Sequence, residues 1–230
     1  MSADSRLDPQ HLLLIGAGPG VGAAVARRFG REGFRATLIS RGDGLDEVAA
    51  GLRDEGMSVS QLASDVGYLD GYRARIRARY EAPDAPSVLV YNASLLVPDG
   101  ILTSTVEHLR EANDVDVIGG VVAAQIAAPT LRAAGSGTIL FTGGGFADYP
   151  VPAFATISMG KAALRAAATL LAAELGGDGV HAASVTIAGQ VAPGTAFDPD
   201  SIAELFWTAH TDGPDEWLAE YRFEAAAQSL

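Results

Sequence analysis

The chain has 230 residues, a formal net charge of −12 and a hydrophobic fraction of 48%, which suits one α/β domain with a full core. The absence of cysteine excludes disulfides, thiolate catalysis and zinc–cysteine sites. The negative charge argues against nucleic acid and membrane surfaces as partners, and we see neither an apolar run of membrane-spanning length nor a leader, so we expect a cytoplasmic protein.

Strand-like and helix-like segments alternate along the whole chain. Short apolar runs predict strands, and apolar residues at helical spacing predict helices. In chain order we predict strand 11–15, helix 20–31, strand 35–40, helix 44–55, strand 58–63, helix 68–80, strand 87–91, helix 106–133, strand 138–141, helix 153–175, strand 180–187, a helix starting at 198–199, and strand 218–223. This alternation predicts an α/β fold with a Rossmann-like, doubly wound parallel sheet in a single domain spanning 1–230.

A loop rich in Pro and Gly follows the predicted strand 180–187. In this fold such loops often cover the substrate, so we expect the segment 189–215 to act as a substrate loop or lid. A plain surface connection is the alternative.

A glycine cluster separates the first predicted strand from the first predicted helix. Gly16, Gly18, Gly20 and Gly22, with Val21 among them, lie where the backbone must turn sharply and approach a phosphate closely. The N-terminus of the following helix offers free N–H groups and a partial positive charge to a pyrophosphate. This context predicts a dinucleotide-binding turn, with a structural turn without ligand as the alternative.

The end of the second predicted strand carries Ser40 and Arg41, and the next acid is Asp43. An acid directly after this strand would accept a hydrogen bond from the ribose 2′-OH of NAD, whereas an arginine would pair with the 2′-phosphate of NADP. Ser40 and Arg41 therefore favour NADP, with NAD as the second choice. A solvated loop arginine is the alternative for Arg41.

The segment FATISMGKAAL at 154–164 contains Lys161, the only lysine of the chain. Together with the G-x-x-x-G-x-G frame at 16–22 and the NAS triplet at 92–94, this segment resembles the short-chain dehydrogenase/reductase family. The resemblance runs from about residue 11 to residue 195. It implies a dinucleotide cofactor and oxidoreductase chemistry.

The resemblance implies cofactor contacts beyond the glycine turn. Asp65 and Val66 would contact adenine, Asn92 and Ala93 follow the fourth strand, and Lys161 would contact the nicotinamide ribose. After the sixth strand, Gly189 matches the family's glycine, while the family's threonine position falls on Pro193. Thr195 would supply the missing hydroxyl to the nicotinamide amide instead.

Family catalysis uses Asn, Ser, Tyr and Lys. The resemblance places only the lysine on a residue of the same type in this chain. The asparagine position aligns with Asp116, and Asn113 is a substitute one turn earlier; an ordinary helix carboxylate is the alternative for Asp116. The serine position falls on Gly144, the tyrosine position on Ile157, and the lysine on Lys161. The resemblance therefore implies an atypical member without the phenol that normally gives or takes the substrate's proton.

Candidate replacements for that phenol are Tyr149, Asp116, Ser158 and a water held by Lys161. Tyr149 leads because it lies on the loop entering the active-site helix, although a packed loop aromatic is the alternative. The predicted catalytic set is Lys161, Asp116 and Tyr149. The spacing of histidines and acids indicates no metal site.

Two functions from different classes fit these expectations. The first is an NADP-dependent reductase of an activated carbonyl or conjugated small molecule, whose delocalised charge tolerates the loss of a general acid. The second is a non-redox enzyme (cyclase, dehydratase or isomerase) or an NADP-binding sensor. The family analogy and the alanine-rich helix 153–175 also imply a homodimer or homotetramer.

Overall fold

The computed structural model describes residues 6–42 and 44–225, so Asp43 lies outside the described residues. Its parallel strands form one sheet in the order β3-β2-β1-β4-β5-β6-β7. The strands are β1 Leu7–Ile15, β2 Arg35–Ser40, β3 Val59–Ala63, β4 Ala85–Tyr91, β5 Gly137–Gly144, β6 Val180–Ile187 and β7 Glu220–Phe223. The helices are α1 Val21–Arg31, α2 Gly44–Asp54, α3 Leu69–Glu81, α4 Val106–Asn113, α5 Gly119–Ala134, α6 Ala155–Leu175 and α7 Pro199–Thr211. The predicted doubly wound parallel sheet is confirmed.

Helices cover both faces of the sheet, and each face has its own core. On one face, Phe29 of α1 and Phe206 of α7 pack in a cluster with Leu38 of β2. On the other face, Ile76 of α3 and Leu164 of α6 belong to a second cluster. Burial of the strands on both sides explains their continuous apolar sequence, which is typical of parallel sheets.

The structure differs from the predicted elements at several boundaries. Strand β1 begins at Leu7, because Leu7 pairs with Ala85 of β4 across an irregularity in register. The predicted helix 106–133 is interrupted by a π-helical turn at Asp114–Ile118, between α4 and α5. The last strand is shorter than predicted and covers Glu220–Phe223.

The predicted lid segment 189–215 consists of two different parts. The first part is a loop, and the second contains helix α7, which begins where predicted: Asp198 accepts a hydrogen bond from the Asp200 N–H at 2.9 Å. Ile202 and Phe206 of α7 are fully buried in the core. The core therefore holds α7 in place, and within the predicted lid segment the loop 189–198 stays the candidate cover.

Among the described residues, one continuous helical segment, Val106–Ala134, is long and apolar enough to cross a membrane by length and composition. The sequence predicted this helix, but the expectation that no apolar run reaches membrane-spanning length is wrong for it. Ala123, Ala127 and Leu131 of this segment are fully buried in the core cluster beside the sheet. This packing is that of a core helix in an α/β domain.

Strand β1 lies between β2 and β4, so the chain leaves the sheet centre in opposite directions on its two sides. In open parallel sheets a crevice forms outside the carboxyl ends of the strands at such a switch point, and ligands bind there. The glycine turn, Arg41 and Asn92 directly follow β1, β2 and β4. The fold thus brings these residues to one edge of the sheet.

Candidate active site

The glycine turn after β1 is shaped by two close backbone approaches. Gly16 has φ +87°, and a Cβ there would lie 2.2 Å from the backbone nitrogen of Ala93. A Cβ on Gly22 would lie 2.8 Å from the Gly16 carbonyl oxygen. By contrast, a Cβ at Gly18 or Gly20 would meet nothing within 4 Å. Gly16 and Gly22 are therefore required for packing, whereas Gly18 and Gly20 leave the outer side of the turn open.

Asn92 ties this turn to the neighbouring strands. Its Nδ2 donates to the Gly16 carbonyl at 2.8 Å, and its Oδ1 accepts from the Thr142 hydroxyl at 2.9 Å. Both side-chain groups of Asn92 therefore bond inside the protein. In this structure Asn92 holds the turn in position.

A first cavity of about 260 Å³ opens beside the glycine turn. It gathers most of the residues predicted to bind the adenosine end of a dinucleotide. They are Gly16, Gly18, Ser40, Arg41, Asp65, Val66, Asn92 and Ala93. Arg41 is exposed, and it forms no salt bridge within the described ranges.

A second, larger cavity of about 790 Å³ lies along the carboxyl ends of β5 and β6. Its wall includes Val21, Gly189, Lys161 and Tyr149 from the predicted set. The rest is mainly apolar or glycine: Leu96, Gly143, Gly144, Gly145, Phe146, Val151, Phe154, Ile157, Ile187, Ala188 and Val191, with Ser94, Thr142 and Gln190 as polar members. Lys161 is the only charged side chain in this wall.

Lys161 lies on α6 with only 8% of its surface exposed. Its Nζ donates to the Thr142 carbonyl at 2.7 Å. Burial lowers the pKa of this ammonium to about 8, and the Asp116 carboxylate opposes that shift. A Cβ on Gly144 would meet the lysine stem at 3.7 to 3.9 Å, which is ordinary contact. Ile157, 1% exposed, lies one turn earlier on the same helix.

Asp116 lies in the π-helical turn and is 1% exposed. Its Oδ1 accepts from the Leu95 N–H at 2.7 Å, while its buried Oδ2 has no hydrogen-bond partner in the described chain. Burial raises the pKa of this carboxyl to about 6, against the effects of the Leu95 N–H and Lys161. Asn113, the substitute expected for this position, is exposed on α4.

Two tyrosines that sequence reasoning missed, Tyr91 on β4 and Tyr72 on α3, bond to the backbone in and next to the π-helical turn. The Tyr91 hydroxyl donates to the Val115 carbonyl, and the Tyr72 hydroxyl donates to the Gly119 carbonyl at 2.9 Å. Both tyrosines are fully buried. Single π turns inside α-helices are frequent at functional sites. These bonds hold in place the backbone of the turn that carries Asp116.

Asp99 is a further residue that the sequence analysis missed. Its carboxylate accepts from the Thr156 N–H at 3.2 Å and from the Thr156 hydroxyl, and it lies 3.0 Å from His108 Nε2. Although burial opposes the shift, these bonds hold the pKa of Asp99 below its usual value. Asp99 thus joins the loop after β4 to the first turn of α6. Its place in a Pro-Asp-Gly turn was the one signal available in the sequence.

The other candidate proton donors occupy different environments. Tyr149 lies on the rim of the larger cavity with 79% of its surface exposed. The Ser158 hydroxyl donates to the Phe154 carbonyl at 2.7 Å and accepts from the Val151 N–H at 3.1 Å. Ser158 is therefore engaged in the first turn of α6.

The loop after β6 places its two predicted residues differently. Gly189 lies in the wall of the larger cavity, and a Cβ there would collide with the Phe197 ring at 2.2 Å. The Thr195 hydroxyl donates to the Ala192 carbonyl at 2.8 Å and accepts from the Phe197 N–H at 3.1 Å. In this conformation the Thr195 side chain is used within its own turn. No group of three or more potential metal ligands occurs in the described part of the chain.

A doubly wound sheet, an open glycine turn at the switch point and an arginine after β2 define a dinucleotide-binding α/β protein. Residues 10–197 match the family described as short chain dehydrogenase, so the chain belongs to the short-chain dehydrogenase/reductase family. This confirms the resemblance at the level of the family.

Among curated proteins, an uncharacterized oxidoreductase of Methylorubrum extorquens is 30% identical over 74% of this chain and 69% of its own length. The cis-toluene dihydrodiol dehydrogenase of Pseudomonas putida is 30% identical over 74% of this chain and 63% of its own. The match thus spans less than two thirds of several relatives' length, as with the human dehydrogenase/reductase SDR family member 4, at 64%.

Solved structures match over nearly the full length. A short-chain dehydrogenase from Rhodopseudomonas palustris has a TM-score of 0.83 at 25% identity, covering 95% of this chain and 98% of that one. A metagenomic short-chain oxidoreductase, solved in complex with NADP, has a TM-score of 0.83 at 25% identity, covering 96% of this chain and 100% of that one.

Proposed function

We propose that this protein is an NADP(H)-dependent oxidoreductase that reduces an activated carbonyl or a conjugated small molecule of largely apolar character. The observation that carries the proposal is the joining of two features at one sheet edge. One is an open glycine turn with an exposed arginine, and the other is a buried lysine in the wall of an apolar cavity.

The residues at the first cavity fit the adenosine end of NADP(H). Gly18 and Gly20 leave room for a pyrophosphate, and no side chain caps the N-terminus of α1, so its N–H groups can bind one. Arg41 would hold the 2′-phosphate beside Ser40 through a charge-assisted contact. The related metagenomic oxidoreductase, which carries NADP in its structure, supports this choice.

Bound NADPH would supply the hydride. Lys161 would contact the nicotinamide ribose, Gly189 would line the nicotinamide side of the cavity, and the loop 189–198 would close over the substrate. The Thr195 hydroxyl reaches the nicotinamide amide only if this loop rearranges, because that hydroxyl is bonded to Ala192 here. These are the chain's own contributions to binding and to the exclusion of water.

The group that donates the proton to the substrate is the distinctive part of the proposal. By resemblance to the family, we place Ile157 at the tyrosine position and Gly144 at the serine position, which would make this an atypical member. The Lys161 ammonium, with a pKa of about 8, would then donate the proton directly, since an acid works best near the operating pH. The Asp116 carboxylate would stabilise the charged form of Lys161. Tyr149 on the rim of the cavity is the second candidate proton donor.

The cavity restricts the substrate. Its wall contains the rings of Phe146, Tyr149 and Phe154 and no carboxylate, which favours a neutral or anionic apolar compound. Loss of a general acid typically costs about 10²–10⁴ in rate. A conjugated acceptor, whose developing charge is delocalised, tolerates this loss better than a simple ketone.

A non-redox enzyme or an NADP-binding sensor is the second candidate. The observation in its favour is that Ile157 and Gly144 leave no hydroxyl beside Lys161 at the positions where the family has two. In both candidates the dinucleotide binds.

A fluorescence titration with NADPH and NADH tests the cofactor assignment. Arg41→Ala should weaken NADPH by about 10–100-fold, from the loss of charge-assisted bonds, and leave NADH nearly unchanged. Arg75→Ala, which removes one exposed positive charge on α3, is the matched control. Equal losses for both nucleotides would remove the phosphate assignment.

Turnover then separates the two functions. NADPH oxidation by quinones or enones, faster than by cyclohexanone, supports the reductase. Tight NADPH binding without oxidation of any acceptor supports the second candidate.

We further propose a homodimer or homotetramer in the cytoplasm. Helix α6 presents exposed small and apolar side chains away from the core, including Ala162, Ala166 and Leu170. Small side chains permit close helix packing between copies. Sedimentation of the full chain at several concentrations tests this expectation.

A further inference from the structure

The environment of Lys161 allows a chemistry that needs no hydride. Its Nζ donates a hydrogen bond to the Thr142 carbonyl at 2.7 Å, and it forms no salt bridge among residues 6–42 and 44–225. Burial lowers the pKa of this group to about 8, opposed by Asp116. Buried lysines of this kind supply a neutral amine at ordinary pH.

The larger cavity offers a ligand an apolar route to this amine. The nearest atoms to a Cβ built at position 144 belong to the Lys161 stem, at 3.7 to 3.9 Å, so a glycine there leaves the volume of that Cβ beside the stem unfilled. One turn earlier, Ile157 has no group that can hydrogen-bond the amine. The cavity wall holds Phe146 and Phe154, whose ring centroids are 5.8 Å apart, and Lys161 is its only charged side chain. An uncharged carbonyl compound entering there meets one amine in an apolar wall.

We propose that Lys161 is an amine nucleophile that condenses with apolar aldehydes and ketones in the larger cavity when no dinucleotide is bound. The lone pair of the neutral amine attacks the carbonyl carbon, the C–N bond forms, and the carbonyl oxygen takes a proton to give a carbinolamine. Loss of water then breaks the C–O bond and forms the C=N bond. The balance is one carbonyl compound and one lysine amine giving one imine and one water. This step goes beyond the reductase proposal and does not depend on hydride transfer.

The experiment is reductive trapping on the full chain without dinucleotide. The protein is incubated at neutral pH with benzaldehyde and cyanoborohydride, and adducts are followed by intact mass and located by peptide mapping. Because Lys161 is the only lysine, an adduct lies either there or on the N-terminal amine. At neutral pH a lysine with a pKa of about 8 holds on the order of 100 times more neutral amine than a solvated lysine. We therefore expect Lys161 to be trapped on the order of 100-fold faster than acetyl-lysine in the same solution.

Three controls make the result specific to the cavity. Lys161→Arg should give no adduct beyond that at the N-terminus. Glyceraldehyde, a polar aldehyde, should show far less rate advantage at Lys161 than benzaldehyde. Ile157→Tyr places a phenol beside the amine and narrows the cavity, so trapping should slow.

Asp116→Asn provides a readout that a merely structural role would not change. The groups that act on the Asp116 carboxyl are Lys161 on α6, Asp99 in the loop after β4 and His108 on α4. Removing the Asp116 charge lowers the pKa of Lys161 further, so trapping at neutral pH should become faster.

The outcomes for the amine and for the cofactor are distinguishable. Adducts confined to the N-terminus, or trapping at Lys161 no faster than that of acetyl-lysine, overturn the amine proposal even if NADPH binds tightly. Fast trapping that NADPH suppresses supports both proposals. Fast trapping that NADPH does not affect supports the amine proposal and counts against the dinucleotide assignment.

Discussion

At Gly160, α6 passes close to Asp116 of the π-helical turn. A Cβ built on Gly160 would lie 2.5 Å from the Cβ of Asp116 and 3.2 Å from its Cγ. Carbon atoms ordinarily pack at about 3.5–4.0 Å, so Gly160→Ala requires a displacement of about 1 Å. Asp116 cannot swing aside freely, because it is buried and its Oδ1 is bonded to the Leu95 N–H. The strain therefore reaches the backbones of both helices.

Two effects of Gly160→Ala oppose each other. In a helix interior, alanine is more favourable than glycine by about 1 kcal/mol. Overpacking a well-packed interior costs about 1–3 kcal/mol. Because the contact involves atoms next to the backbone, we expect overpacking to win and the free energy of unfolding to fall by about 1–2 kcal/mol. NADPH binding should weaken too, since Lys161 follows Gly160 directly.

Gly51→Ala in α2 is the matched control, because Gly51 is also inside a helix but a Cβ there meets nothing within 4 Å. We expect this variant to gain about 0.5–1 kcal/mol. Urea unfolding at fixed protein concentration measures both variants, and for a chain of this size each 1 kcal/mol moves the melting temperature by about 2–4 °C. If Gly160→Ala is stabilised as much as Gly51→Ala, the close approach of α6 to the π-helical turn is refuted.

Two further predictions concern the buried groups. Burial raises the pKa of the Asp116 carboxyl from 3.8 to about 6, so its stabilising contribution is present below the unfolded pKa and is lost as pH rises to about 6. Asp116→Asn lacks this dependence, and the stability of the native chain relative to this variant should fall by about 1–3 kcal/mol from pH 4 to pH 7 in urea titrations; a constant difference contradicts it. Ile157→Tyr alone should not restore reduction of a simple ketone, whereas Ile157→Tyr with Gly144→Ser should raise NADPH oxidation by about 10²–10⁴-fold, because a serine Cβ fits at 3.7 Å from the lysine stem. Equal activity in the single and double variants would show that the serine is not required.

The fold was predictable from the sequence because its signals are local. Each strand is a short apolar run, each helix has apolar residues at helical spacing, and glycines mark the turn between β1 and α1. The carboxyl ends of parallel strands meet at one edge, so Gly16, Arg41 and Asn92 were expected near one another, and the structure brings them to one cavity. These residues follow directly from the order of elements.

The interior of the larger site was less predictable, because it depends on contacts between distant segments. The apolar spacing of 106–133 carries no sign of the extra residue in the π-helical turn, which Tyr91 and Tyr72 support from β4 and α3. Asp99 bonds Thr156 across 57 positions. Neither contact has a local signature, since a tyrosine in a buried strand and an aspartate in a turn are common in any α/β protein.

The energetics of Lys161 and Asp116 argue that this site still has a function. An unpaired ionised group in a protein interior costs several kcal/mol, and proteins normally avoid this cost. Here the Asp116 Oδ2 has no partner among the described residues, and the lysine has one bond, to the Thr142 carbonyl. An apolar pair at positions 116 and 161 would be more stable, and neighbouring Ile157 is already apolar. Sites that break the rules of stable packing in this way are expected where a ligand or a reaction requires them.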